Sequence, residues 1–149
     1  MTLLHETIEV ERSVDEAFAA VADFSTSAVW DPGVASAARV REGSPAPAGV
    51  GAEYLLTVVF RGRSSDMRYR TTRYDAPSIV VLEGKGPRIA ATDTIRFEAG
   101  PDGGTRIDYV ADLRLTGLAR LAQPLLRGAF TSMGSRALAG MKAWLDRRP

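Results

Sequence analysis

The chain has 149 residues, 45% hydrophobic and 25% charged, a size and balance that fit one folded domain and exclude a disordered segment. Nineteen basic residues against eighteen acidic ones leave a net charge of +1, too small a basic excess for a protein that neutralises phosphates, so nucleic acid is not an expected partner. There is no cysteine, which removes disulfides, thiolate nucleophiles and cysteine-based metal sites.

Met1 to Val10 has no basic segment followed by an apolar one, so no signal peptide is expected. Apolar stretches such as Leu55 to Phe60 fall far short of the ~20 residues of a membrane span, so no membrane insertion is expected and a cytoplasmic location is the default. Thr7 to Arg12 alternates, with Ile8 and Val10 on one face and Glu9 and Glu11 on the other, the period of a half-buried strand. Ser13 reads as a helix N-cap, and Glu16 completes a capping box. Val14, Phe18, Val21 and Ala22 follow at helical spacing, and the helix fades between Asp23 and Ser27. A second short helix or turn holds Trp30 and ends at Pro32-Gly33.

From Ala35 to Leu115 strands alternate with turn signals. Gly43 to Gly51 is a loop, Glu53 to Phe60 a strand, Gly62 to Asp66 a turn and Met67 to Tyr74 another strand. Pro77 breaks the chain, Ile79 to Glu83 resumes it, and Gly84 to Arg88 turns again. Thr92 to Glu98 alternates, with Ile95 and Phe97 on one face. Gly100 to Gly104 is a hairpin turn, and Ile107, Tyr109, Ala111 and Leu113 mark the last strand. Connections this short imply antiparallel neighbours, because a parallel crossover needs about a dozen residues.

From Leu118, apolar residues recur at Ala122, Leu125, Leu126, Ala129, Phe130, Met133, Ala137, Met141 and Trp144, with Arg120, Arg127 and Lys142 opposite. That stripe suits a long helix lying across a sheet. Pro124 either kinks the helix or occupies its first turn. The predicted fold is α+β: one domain over residues 1–149, a curved antiparallel sheet closed over the C-terminal helix.

Local strings accompany this order: Val14-Asp15-Glu16-Ala17-Phe18, Trp30-Asp31-Pro32, Gly49-Val50-Gly51-Ala52 before a strand, and Gly103-Gly104-Thr105-Arg106-Ile107 entering the last one. Together they resemble the helix-grip superfamily of START-like and birch-pollen-allergen-like domains, in particular the branch of polyketide cyclases/dehydrases and lipid-transport proteins. The resemblance spans nearly the whole chain. It implies a seven-stranded antiparallel sheet gripping a helix around a hydrophobic pocket, with two short helices after the first strand. It does not imply one chemistry, since members include carriers, ligand sensors and cyclases.

Strand phase points Tyr54, Leu56, Val58 and Phe60 inward, with Met67, Tyr69 and Thr71, and with Tyr109 and Leu113 on the last strand. A buried tyrosine hydroxyl needs a partner, whether a ligand, a side chain or water. Asp93 shares phase with Ile95 and Phe97 and is the sharpest oddity, because an isolated buried carboxylate is costly. It is a polar anchor or acid/base group if inside; otherwise it pairs with an arginine such as Arg73, or its strand starts only at Thr94. Glu83 is a weaker case of the same kind.

Trp30 either lines the pocket entrance or plugs one end of the core, and Asp31 before Pro32 reads as turn chemistry. Phe130, Met133 and Ala137 lie mid-stripe on the last helix, where core and pocket floor coincide, and Arg136 at its edge either snorkels to water or meets a ligand carboxylate. His5, the single histidine, is out of phase with Ile8 and Val10 and is expected to face solvent rather than act as a base. No metal-ligand spacing and no cofactor motif is present.

Two functions follow. The first is binding of a hydrophobic or aromatic small molecule, of polyketide, lipid or isoprenoid type, contacted by Trp30, Tyr54, Leu56, Val58, Met67, Tyr69, Asp93, Tyr109, Leu113, Phe130, Met133 and Ala137. The second is a cyclase/dehydratase-type enzyme using Asp93, a tyrosine or an arginine in the same cavity. Monomer and homodimer are both open. A protein-interaction module has no positive feature in the sequence.

Overall fold

The computed structural model of the protein describes residues 2–147; Met1, Arg148 and Pro149, which the expected domain includes, lie outside them. Period-two burial lays down seven strands: β1 (Thr2–Val10), β2 (Val34–Arg41), β3 (Glu53–Phe60), β4 (Arg63–Asp75), β5 (Ile79–Lys85), β6 (Ile89–Ala99) and β7 (Thr105–Leu115). β2 to β7 run as a meander in which each strand pairs antiparallel with the next. β1 returns to pair with β7, so the sheet order is β1-β7-β6-β5-β4-β3-β2.

Between β1 and β2 lie α1 (Val14–Ala22), a 3-10 turn (Phe24–Thr26) and α2 (Ser27–Trp30). The Ser13 hydroxyl accepts from the Glu16 N–H at 3.3 Å, which satisfies one of the helix's orphan donors. Phe18 on α1 is buried edge-on against Phe97 of β6, with ring centroids 5.1 Å apart. Burying a side chain of that kind contributes roughly 1.5–3 kcal/mol.

After β7 a second 3-10 turn (Gly117–Ala122) leads into α3 (Gln123–Asp146). Two clamps hold α3. At its start the buried Gln123 amide donates to the Leu113 carbonyl at 2.7 Å and to the Thr2 hydroxyl at 3.1 Å, and accepts from the Leu115 N–H at 3.0 Å. At its end Lys142 donates to the Glu9 carbonyl, Arg12 donates to the Leu145 carbonyl at 3.0 Å, and Asp146 accepts from the Glu11 N–H at 2.8 Å. The helix packs on β1 and α2 and is pinned to both ends of the β1–β7 pair.

Several sequence expectations are corrected. The first strand starts at Thr2 rather than Thr7. The turn expected over Gly62 to Asp66 is the two residues Arg61 and Gly62, both with positive φ (54° and 79°), the hairpin geometry that matches strand twist; β4 therefore begins at Arg63. Gly84 lies inside β5, opposite Tyr69 in register, not in a turn. Leu118 and Leu125, expected in the buried stripe, are 87% and 85% exposed, and Leu121 between them is exposed as well. The 3-10 turn, with its shorter period, resets the phase before α3 starts, and Pro124 sits in the first turn of α3 without kinking it. Leu138 and Leu145 fill the stripe instead. No helix among the described residues is long and apolar enough to cross a membrane.

Two glycines of α3 separate the effects of space and propensity. A Cβ on Gly140 would meet the Trp30 carbonyl oxygen at 1.9 Å, whereas one on Gly128 would meet nothing within 4 Å. Gly140→Ala should lower stability by about 1–3 kcal/mol, the usual cost of overpacking against rigid backbone. Gly128→Ala should raise it by about 0.5–1 kcal/mol, because alanine loses less entropy in a helix. Chemical denaturation of both variants checks the pair, and equal effects would contradict this packing of α3 on Trp30.

Candidate functional site

The concave face of the sheet and the middle turns of α3 do not meet flush. Between them lies a cavity of about 110 Å³. Drug-sized ligand pockets span roughly 300–1,000 Å³. A dry engineered cavity of about 150 Å³ admits benzene. The space therefore matches a single ring or a short branched chain.

Strand phase delivers most of the wall. Leu56 and Val58 of β3, Met67 and Tyr69 of β4, Asp93 of β6, and Tyr109 and Leu113 of β7 all line it, with Trp30 of α2 and Met133 and Ala137 of α3. Tyr54 and Phe130 do not. Tyr54 is buried behind the wall, near Phe24 at 6.3 Å between ring centroids, and Phe130 stacks on Phe60 at 5.1 Å, sealing the helix to β3 beside the cavity. Trp30 both plugs the core and lines the cavity, its indole N–H donating to Thr26 Oγ1 at 3.2 Å.

Other wall residues escaped the sequence reading. Glu6 is in phase with Leu4, Ile8 and Val10, and extending β1 back to Thr2 finds it. Asp31 does make the expected turn, its Oδ1 accepting from the Gly33 N–H at 2.8 Å, but the same side chain also reaches the cavity. Phe24, Ser27 and Ile89 are also on the wall and had no distinguishing signal. Glu83 points out to solvent, while Arg73 pairs with Asp75 at 2.7 Å rather than with Asp93. His5 is exposed and lies 2.6 Å from Asp108. Arg136 is exposed and is not part of the wall.

Asp93 is the polar centre. It is 5% exposed, and its Oδ2 accepts a hydrogen bond from the Tyr109 hydroxyl, while Oδ1 is buried with no partner among the described residues. The pair forms because Asp93 faces Ala111 across the β6–β7 ladder and Tyr109 stands two residues away on the same face. Tyr69 approaches from β4, and a Cβ on Gly84 would lie 2.5 Å from its ring, so only glycine leaves room for that tyrosine.

Burial raises the Asp93 pKa to about 7, with the nearby Asp31 charge adding to the rise and the Tyr109 hydrogen bond opposing it. Burial also raises Asp31, against the lowering effects of the Gly33 N–H and the Arg136 charge. The Tyr69 and Tyr109 hydroxyls are pushed well above their ordinary range by burial and then by Asp93. These four groups form one electrostatic cluster in which each negative charge disfavours the next. Such a cluster can hold or exchange a proton near neutral pH and can accept a hydrogen bond from a guest. No three metal-ligating side chains come together among the described residues.

Solved structures share this fold. A protein from Thermus thermophilus superposes with a TM-score of 0.80 at 14% identity, covering 96% of both chains. A START superfamily protein from Mycobacterium smegmatis gives 0.77 at 15%, covering 97% of this chain and 99% of the other. The Zhui aromatase/cyclase from Streptomyces sp. R1128 gives 0.81 at 14%, covering 98% and 94%. At such identities the likeness establishes the helix-grip fold alone. No curated protein matches the sequence significantly. The pattern that defines the family described as "Polyketide cyclase / dehydrase and lipid transport" runs through residues 1–146, and the chain belongs to that family.

Proposed function

We propose that the protein binds a hydrophobic or aromatic small molecule in the cavity between the sheet and α3. The observation that carries this reading is an apolar cavity with one carboxylate oxygen, Asp93 Oδ1, buried in it without a partner. An unpartnered buried polar atom costs about 1–3 kcal/mol unless a guest or water meets it. Family membership supports small-molecule handling in general. The cavity's size favours a ring-sized guest, or one segment of a longer one, over a fully enclosed lipid, polyketide or isoprenoid. The proposed working compartment is the cytoplasm.

A second reading has its own support. A carboxyl with a pKa of about 7 beside two tyrosines is suited to general acid–base work on a poly-β-keto or related substrate, with Asp93 passing the proton. Native mass spectrometry of the purified protein separates the two. Binding predicts a co-purified hydrophobic compound that is returned unchanged on incubation and is lost from Ala137→Leu, which fills the cavity. Chemical conversion that stops in Asp93→Asn would favour the enzyme. A protein that never carries or takes up an apolar compound would contradict both.

The raised pKa of Asp93 also sets a pH dependence. The folded state binds the Asp93 proton more tightly than the unfolded state, so the associated stability is fully present below the ordinary value of 3.8 and is lost as pH rises through about 7. Asp93→Asn removes this loss while keeping an acceptor for Tyr109. At pH 8 the variant should exceed the parent by up to about 4 kcal/mol, with the difference shrinking towards pH 4. Urea denaturation at both pH values reads this, and a pH-independent difference would contradict a buried, neutral Asp93.

A further inference from the structure

The hydrogen-bonding capacity of the cavity wall leans towards acceptors. All but one of its side-chain and turn donors are engaged: Trp30 Nε1–H with Thr26, the Ser27 hydroxyl with the Phe24 carbonyl at 2.7 Å, the Gly33 N–H with Asp31, and the Tyr109 hydroxyl with Asp93 Oδ2. The Tyr69 hydroxyl has only the weak Met67 sulfur acceptor, 4.0 Å away. Beside that hydroxyl, and once Asp93 is ionised above its pKa of about 7, what remains are acceptors, chiefly Asp93 Oδ1, the second oxygen of Asp31 and the lone pairs of Tyr109.

Charge is one-sided. Among the described residues, Glu6, Asp31 and Asp93 are on the wall, and no Lys, Arg or His is. Arg136 acts on Asp31 from an exposed position outside the wall, and no basic side chain is among the influences on Asp93. A ligand carboxylate or phosphate would be desolvated beside three carboxyls with no counter-charge, which is strongly unfavourable. A wholly apolar guest would leave Asp93 Oδ1 without water and without a partner. A guest with an N–H donor on a ring-sized apolar body answers both constraints.

We propose that the ligand is a small apolar amine, its nitrogen donating to Asp93 Oδ1 and its apolar body lying against Leu56, Leu113 and Ala137. This rests on the cavity being a binding site and adds the chemical class. The cation replaces the lost hydration of Asp93, and Asp31 and the Tyr109 oxygen complete its surroundings. Binding therefore stabilises the ionised form of Asp93 and releases a fraction of a proton at pH 7. The groups that face this carboxyl from the packed elements are Tyr109, Tyr69 and Asp31, with Glu6 further along the same wall.

The test is isothermal calorimetry of the full chain at pH 8 with three probes of one size: toluene, benzylamine and benzoate. The expected order is benzylamine at least tenfold tighter than toluene, with benzoate weakest. Asp93→Asn should cut the benzylamine-to-toluene affinity ratio at least tenfold. Titrating benzylamine at pH 7 in two buffers of different ionisation enthalpy should reveal the released proton in the unaltered protein. Benzoate binding as tightly as benzylamine, or an affinity ratio untouched by Asp93→Asn, would overturn the amine assignment while toluene binding left the cavity reading intact. Failure of all three probes to bind would overturn the cavity reading and the amine with it.

Discussion

The cavity lies beneath a helix clamped at both ends, whose middle turns touch β1 through Ser135 and Glu6, at 3.2 Å, but stand off the concave face of β3 to β7. The Gln123 amide is fixed by Thr2, Leu113 and Leu115, while Lys142, Arg12 and Asp146 bind the far end to the β1–α1 junction. A straight helix held at both ends over a concave sheet leaves space where the two surfaces diverge. Phe130 on Phe60 seals one side of that space, and Trp30 closes another against the Gly140 turn. The fold thus builds the site by geometry, without any catalytic string in the sequence.

A buried carboxylate in such a space is destabilising, and the surrounding residues lessen the cost without removing it. Tyr109 satisfies one oxygen, and the pKa of Asp93 rises until the proton itself offsets part of the desolvation. An interior chosen for stability alone would place an apolar residue there, as Ala91 and Ile95 are placed on either side along β6. Retaining Asp93, and keeping Gly84 bare so that Tyr69 can approach it, trades stability for a polar point inside an apolar room. The two proposed functions, binding and proton transfer, both need that feature, and for this reason both point to the same cavity.

Period-two phase makes the strand contribution legible. Tyr69, Asp93, Tyr109 and Leu113 can be placed inward because a strand with one buried face admits only one register. The helix is legible as an element but not in its phase at the start: Leu118 and Leu125 look like core because a 3-10 turn and an α-helix are both apolar-periodic over so short a window. Asp31 is legible as a turn residue and invisible as a wall residue, since a single side chain does both. Tyr54 and Phe130 are inward by phase, yet inward on a curved sheet includes positions packed solidly beside the hollow. Depth along the curvature is a tertiary property, and no local pattern encodes it.

The central claim is the hollow itself. A crystal pressurised with xenon reads it directly, because an apolar hollow takes up the atom without needing a specific ligand. The account predicts a xenon site bounded by Leu56, Leu113, Met133 and Ala137, with α3 unmoved. A lattice with no xenon there, and with Met133 and Ala137 seated directly on β3 and β7, would contradict it.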